Sequence, residues 1–166
     1  ARPEHESFVF MGDGTYLMCP TELVTALQED LKITVVISEN HGFQSIWNLQ
    51  RNTVGREFGT EFRSRERGSG RLDGDYLRID LAANAASLGA RTWRATNPNE
   101  LRTALAEARG ETGPCVIVAE TEPHHYLPGG GVWWDVATAE VSADPVTNNL
   151  RAEFEKDQSK GQRFHY

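Results

Sequence analysis

Apolar positions fall along this chain in two rhythms. Three short runs are apolar on consecutive positions: "FVFM" at 8–11, "ITVVIS" at 33–38 and "PCVIVAET" at 114–121. Such runs carry no polar face, which is the pattern of parallel strands covered by helices on both sides. "RTWRAT" at 91–96 reads as a further strand. The other rhythm is helical. In "PTELVTALQEDL", 20–31, Leu23, Val24, Ala26, Leu27 and Leu31 recur at helical spacing. Pro20 suits the first helical position and Glu22 falls in the first turn. "YLRIDLAANAASLGA", 76–90, offers Asp80 as an N-cap and Gly89 as a C-terminal stop. "NPNELRTALAEARG", 97–110, has Pro98 near its start and Gly110 past its expected end. Alternating strands and helices predict an α/β fold: a three-layer sandwich with a mostly parallel central sheet and helices on both faces.

The rhythm lapses at 50–75, "QRNTVGREFGTEFRSRERGSGRLDGD", which is rich in Arg, Glu and Gly. This stretch is expected to be a mobile loop, either a lid or a solvated insertion. Residues 144–166 are expected to form an exposed tail, with "NNLRAEFEKDQSKGQ" as a polar helix. The whole chain, 1–166, suits one domain with one core.

Composition narrows the function classes. Hydrophobic residues make up 39% and charged residues 25% of the chain, an ordinary globular balance. A net charge of −7 argues against nucleic acid as a partner, since a nucleic-acid binder usually shows a basic face. It argues more weakly against an anionic membrane. No apolar run approaches the roughly 20 residues needed to span a bilayer. The two cysteines, Cys19 and Cys115, do not amount to a disulfide framework, so a reducing cytoplasm is the expected compartment. The chain enters its first strand after a few polar residues and without a Met, as a domain trimmed from a larger protein or a processed start would.

Two turns carry candidate chemistry. "GDG" at 12–14 puts Asp13 at the carboxyl end of the first strand, and "SENHGF" puts Asn40 at the carboxyl end of the second. Ligands of open α/β sheets bind beyond such strand ends. Between Gly14 and Asn40 lie 25 residues, the length of one helix and one strand, so neighbouring strands would bring Asp13 and Asn40 together. A carboxylate, an amide oxygen and a backbone carbonyl are hard donors that suit Mg²⁺ or Ca²⁺, and Mg²⁺ commonly completes its octahedron with phosphate oxygens. Gly12 and Gly14 would let backbone N–H groups approach a phosphate closely. No Lys or Arg lies between residues 3 and 31, so a bound diphosphate would be met by metal and backbone rather than by ammonium groups. Either turn alone is an ordinary turn sequence; it is the pair, one strand–helix–strand unit apart, that points to a ligand.

This pair resembles the cofactor motif of thiamine-diphosphate-dependent enzymes. The resemblance implies Mg²⁺ held by Asp13, Asn40 and the backbone oxygen of Gly42, with Gly12, Gly14, Thr15 and His41 lining the diphosphate of thiamine diphosphate. Where that family often has two consecutive asparagines, this chain has Asn40-His41. The segments "GDGTYLMCPTELVTALQE", "NHGFQSI", "FGTEFR", "IDLAANAASLGA" and "WWDVATAEVS" are further similar to the C-terminal part of the ring-opening hydrolases of inositol catabolism, which act on a trihydroxycyclohexane-1,2-dione. The implied fold is the diphosphate-binding domain of a larger enzyme. Its partners would be the pyrimidine-binding domain of the same enzyme, absent from these 166 residues, a second copy in a homodimer or tetramer, and a small-molecule substrate. The glutamate that activates the cofactor would sit on that other domain, so no residue here is given a catalytic role and the chain alone is expected to be inactive. Two readings compete: the same domain from an acetolactate-synthase-like carboligase or 2-keto acid decarboxylase, and a non-catalytic domain that binds Mg²⁺ and phosphate or serves assembly.

Other residues take blander expectations. Leu17 and Met18 suit core packing or support of a bent cofactor, packing being the commoner use of Met. His124 and His125 are adjacent, and on an extended chain they point to opposite sides, so a surface or interface position is expected rather than joint metal ligation. Trp133 and Trp134 are expected at an interface with the partner domain or subunit. Cys19 as a nucleophile would need His41 as its base.

Overall fold

The computed structural model describes residues 5–125 and 137–161. They divide into two compact units, 5–44 with 59–125 and 45–58 with 137–161. The first unit holds β1 (Phe8–Gly12), α1 (Asp13–Met18), α2 (Glu22–Gln28), β2 (Thr34–Glu39), α4 (Leu81–Ser87), β3 (Arg91–Ala95), α5 (Pro98–Gly110) and β4 (Cys115–Glu120). In the second lie nearly all of α3 (Gln44–Val54) and α6 (Pro145–Gly161).

The sheet has the order β1-β2-β4-β3, and every pairing is parallel. Strand β2 is central because its residues are apolar on both faces; Val35, Val36 and Ile37 are all buried. Alternation then sorts them into two cores. Val35 and Ile37, with Val116 and Val118 of β4, pack against Tyr16, Leu23, Leu81 and Ala85 from α1, α2 and α4. Val36, with Cys115 and Ile117, packs on the other face against Ala104 and Ala108 of α5. Full burial of a side chain such as Ile37 or Ile117 stabilises by about 1.5–3 kcal/mol, and the three-layer α/β expectation holds.

Local signals set the element ends. Asp80 caps α4, accepting from the Ala83 N–H at 2.9 Å, and Gly89 leaves the helix at φ 91°. Asn97 caps α5, accepting from the Asn99 and Glu100 N–H groups at 3.1 Å each, with Pro98 in the first turn.

Several boundaries depart from the sequence reading. The helix expected from Pro20 starts at Glu22, with Thr21 as its N-cap, and ends at Gln28. Gly110 is the last residue of α5 rather than the residue beyond it. The supposed loop 50–75 begins inside α3, which continues to Val54. Beyond it, 59–80 is organised by isolated antiparallel bridges, Gly42 with Glu61 and Arg63 with Tyr76. The expected polar helix near the C-terminus is α6, and within it Thr147 is buried. In that second unit Arg56 pairs with Asp144 at 2.8 Å. Arg151 donates to the Thr138 carbonyl at 3.1 Å. Trp133 and Trp134 lie outside the described residues.

Candidate functional site

Strand register builds the site. Gly12 of β1 pairs with Ser38 of β2, so the two chains leave the sheet side by side at the same edge. Asp13 follows Gly12 directly, and Asn40 follows Glu39 at the end of β2. No turn intervenes at the Gly-Asp-Gly: a helix, α1, starts on Asp13 itself.

Asp13 is only 2% exposed, and backbone N–H groups meet both oxygens of its carboxylate. It accepts from the N–H of Gly14 at 2.7 Å, of Asn40 at 3.1 Å and of Gly42 at 3.1 and 3.2 Å. The carboxylate thereby ties the tip of β1 to the loop after β2. The Asn40 amide lies against the same group. With its nitrogen turned inward it donates to Asp13 Oδ1 at 3.2 Å and to the Gly42 carbonyl at 3.0 Å. With its oxygen inward, that oxygen faces Asp13 Oδ1 and the Gly42 carbonyl at the same distances. An amide's orientation follows its surroundings. Adjacent corners of an octahedron with metal–oxygen distances of about 2.0–2.1 Å are about 2.9 Å apart. Asp13, Asn40 and the Gly42 carbonyl could therefore supply adjacent corners for Mg²⁺, and the donor chemistry fits. Among the described residues no group of three His, Cys, Asp or Glu side chains could hold a metal, so this mixed oxygen set stands apart from the usual clusters.

The comparisons with known proteins bear on this geometry. Residues 1–119 match the family described as "Thiamine pyrophosphate enzyme, C-terminal TPP binding domain". The chain belongs to the thiamine pyrophosphate enzymes. Over 142 residues it is 42% identical to 3D-(3,5/4)-trihydroxycyclohexane-1,2-dione hydrolase 1 of Bacillus cereus, covering 86% of this chain and 22% of the relative. The same figures hold for the 3D-(3,5/4)-trihydroxycyclohexane-1,2-dione hydrolase of Bacillus thuringiensis. The chain thus spans about a fifth of the length of these curated relatives. Among solved structures it is similar to the thiamine diphosphate-dependent 4-hydroxybenzoylformate decarboxylase of Rhodococcus jostii RHA1. That likeness has a TM-score of 0.59 at 19% identity, over 72% of this chain and 20% of the other, and shows the shared fold.

Within this family's domain, the sequence-predicted residues divide into several kinds. Gly14 is buried, and a Cβ there would lie 2.8 Å from the Phe43 ring, so its bareness serves packing. Gly12 is different: nothing lies within 4 Å of the place a Cβ would take, so packing does not require its bareness. Thr15 is exposed. His41 has φ 64° and stacks on Tyr76, with ring centroids 4.4 Å apart. Gly42 has φ 147°, and a Cβ would run into the Thr60 carbonyl. Leu17 packs against the core, but Met18 is 70% exposed, which overturns core packing for that residue. The exposed Cys19 sulfur lies 3.7 Å from Thr21 Oγ1 and 4.0 Å from Glu22 Oε1, whereas the base proposed for it, His41, is taken up by Tyr76.

The sequence reading missed a group of side chains that 61–76 lays against the strand-tip loop. Glu61 is 8% exposed. Arg63 Nε and the Tyr76 hydroxyl each donate to it at 2.7 Å, and Gln44 Nε2 donates at 3.3 Å. Burial alone would raise the Glu61 pKa; the bonds from Arg63, Tyr76 and Gln44 outweigh it and hold the carboxyl below its ordinary range. Burial, and then the bond to Glu61, push the Tyr76 phenol up to about 12. The Gly42–Glu61 pairing lays these groups beside the strand tips, and no spacing in the sequence announces it.

Beyond the tips of β2, β3 and β4 lies an open groove of about 790 Å³, lined among others by Glu39, His41, Tyr76, Arg94 and Glu120. Arg94 bridges Glu39 at 2.8 Å and Glu120 at 3.0 Å. Burial raises the Glu39 pKa, and Arg94 opposes it.

Proposed function

We propose that this chain is the diphosphate- and Mg²⁺-binding domain of a thiamine-diphosphate-dependent hydrolase that opens a cyclic 1,2-dione in inositol catabolism. The observation that supports this reading is the packing of the Asn40 amide against both Asp13 Oδ1 and the Gly42 carbonyl, at the tips of two paired strands. In it, those three groups hold Mg²⁺, while the backbone at Gly12 and Gly14, with Thr15 and His41, faces the diphosphate. Asp13 has two tasks: it offers an oxygen to the cation and it fixes the loop that carries the other two donors. The cofactor, when bound, supplies an electron sink for breaking a carbon–carbon bond. This chain supplies binding and orientation. The identity with two named hydrolases favours the cyclic dione as substrate over a 2-keto acid. A pyrimidine-binding domain and a second copy complete the site in this reading, and the two free cysteines accord with a cytoplasmic enzyme.

Titration calorimetry tests it. Thiamine diphosphate should bind the 166-residue chain only when Mg²⁺ is present, and Asp13→Ala should abolish that binding. Equal affinity for plain pyrophosphate would reduce the reading to a phosphate-binding domain. Ring-opening turnover by this chain alone would overturn the division of labour between domains.

A further inference from the structure

The loop that presents Asn40 and Gly42 has an uncommon backbone. Two consecutive residues, His41 and Gly42, have positive φ, 64° and 147°. His41 is not a glycine, and such a conformation persists only where the surroundings over-determine it. Those surroundings come from 60–62. Phe43 N–H donates to the Thr60 carbonyl at 2.8 Å, and Phe62 N–H donates to the His41 carbonyl at 2.9 Å. Between these bonds Glu61 faces Gly42.

Glu61 reaches the same loop by two side-chain routes. Gln44 Nε2 donates both to Glu61 and, at 2.9 Å, to the Asn40 carbonyl. Tyr76 donates to Glu61 through its hydroxyl and lies flat on the His41 ring. Arg63 closes the knot, with its guanidinium 3.8 Å over the Tyr76 ring and a 3.0 Å bond to the Gly74 carbonyl. His124 Nε2 also approaches Glu61, at 3.3 Å. A buried carboxylate held by this many donors is a weak device for stability alone, because a well-packed apolar residue would serve as well. Its distinctive property is that it reaches a proposed cation donor, Asn40, through Gln44 and the neighbouring His41 through Tyr76.

We propose that Glu61 is a positioning residue for the cation-holding loop, acting on Asn40 through Gln44 and on His41 through Tyr76. The proposal rests on the reading that this loop holds a divalent cation, and it assigns the loop's geometry to a residue that touches neither cation nor cofactor.

The test uses Mn²⁺ as the probe, titrated into the full 166-residue chain, with Asp13→Ala marking the site. Glu61→Ala should weaken Mn²⁺ binding about tenfold, as loss of an outer partner of metal ligands does, with one site per chain retained. Glu61→Gln keeps an acceptor oxygen for Gln44 and Tyr76 and should stay within about threefold of the parent. Gln44→Leu cuts one route at similar volume and should weaken binding with Glu61 still in place. A merely structural role would lower the number of competent sites and leave their affinity unchanged; that result overturns the proposal. Hydrogen exchange of the metal-free chain supplies a second arm. Exchange across 38–44 should accelerate in Glu61→Ala and Gln44→Leu while β4 stays protected, and unchanged exchange there also overturns it. A parent chain with no Asp13-dependent Mn²⁺ site would defeat the proposed function, and the exchange arm would still decide the role of Glu61.

Discussion

A methyl group added at Gly14 would sit 2.8 Å from the Phe43 ring, whereas one added at Gly12 would meet nothing within 4 Å. Two glycines of one motif thus answer to different physics. Gly14→Ala should cost about 1–3 kcal/mol as an overpacked site, and Gly12→Ala should leave the unfolding midpoint near that of the parent. Gly42→Ala should be worse than either, because it combines φ 147° with a clash at the Thr60 carbonyl that no rotamer relieves. Urea denaturation of the three variants checks the order. If Gly12→Ala proved as destabilising as Gly14→Ala, open space beside Gly12 would be the wrong account of it.

At the scale of elements, caps give the cleanest expectation. Asn97 satisfies two free N–H groups at the start of α5, the helix that covers one face of the sheet with Ala104 and Ala108. Asn97→Ala should cost about 1 kcal/mol, and Asn97→Asp should restore most of it; denaturant midpoints would show a wrong assignment as no loss in the alanine variant. The sequence reading placed Pro98 near this helix start but did not name Asn97 as its cap; at α4 it named Asp80, and Asp80 is the cap. The strands were legible, because a buried parallel sheet demands runs such as "VVI" in β2 and "VIV" in β4. The short α1 was not. Gly14 is a poor helix former, and the six-residue α1 exists because Asp13, Gly14 and Tyr16 are buried against the sheet. Most of α3 was missed as well: its apolar residues, Ile46, Trp47, Leu49 and Val54, are interspersed with polar ones, and none of its residues is buried. Asp13 and Asn40 could be paired in the sequence because one strand–helix–strand unit fixes their distance. Glu61, Gln44 and Tyr76 could not, since a loop rather than a repeating element brings them there.

Over the whole molecule, two carboxylates with opposite shifts shape stability against pH. Glu61 is held below its ordinary value of 4.5, because the bonds it accepts outweigh its burial. In acid the unfolded chain therefore takes up a proton at this residue before the folded one does. Its stabilising contribution is complete above 4.5 and is lost as pH falls through the folded value. Glu39 is raised above 4.5, with burial outweighing the nearby Arg94. Here the folded state holds the proton longer, so stability is lost as pH rises from 4.5 through the folded value. Denaturant midpoints between about pH 3.5 and 7 should separate the two. Glu61→Gln should make the acid limb shallower, with the remaining slope coming from the other lowered carboxylates: Glu100, held by the Thr96 backbone N–H, and Asp144, held chiefly by the Thr147 hydroxyl. Glu39→Gln should flatten the opposite limb and leave the acid limb alone. An acid limb as steep in Glu61→Gln as in the parent would mean that the Arg63, Tyr76 and Gln44 bonds do not hold Glu61 ionised, and the knot around the strand-tip loop would lose its electrostatic basis.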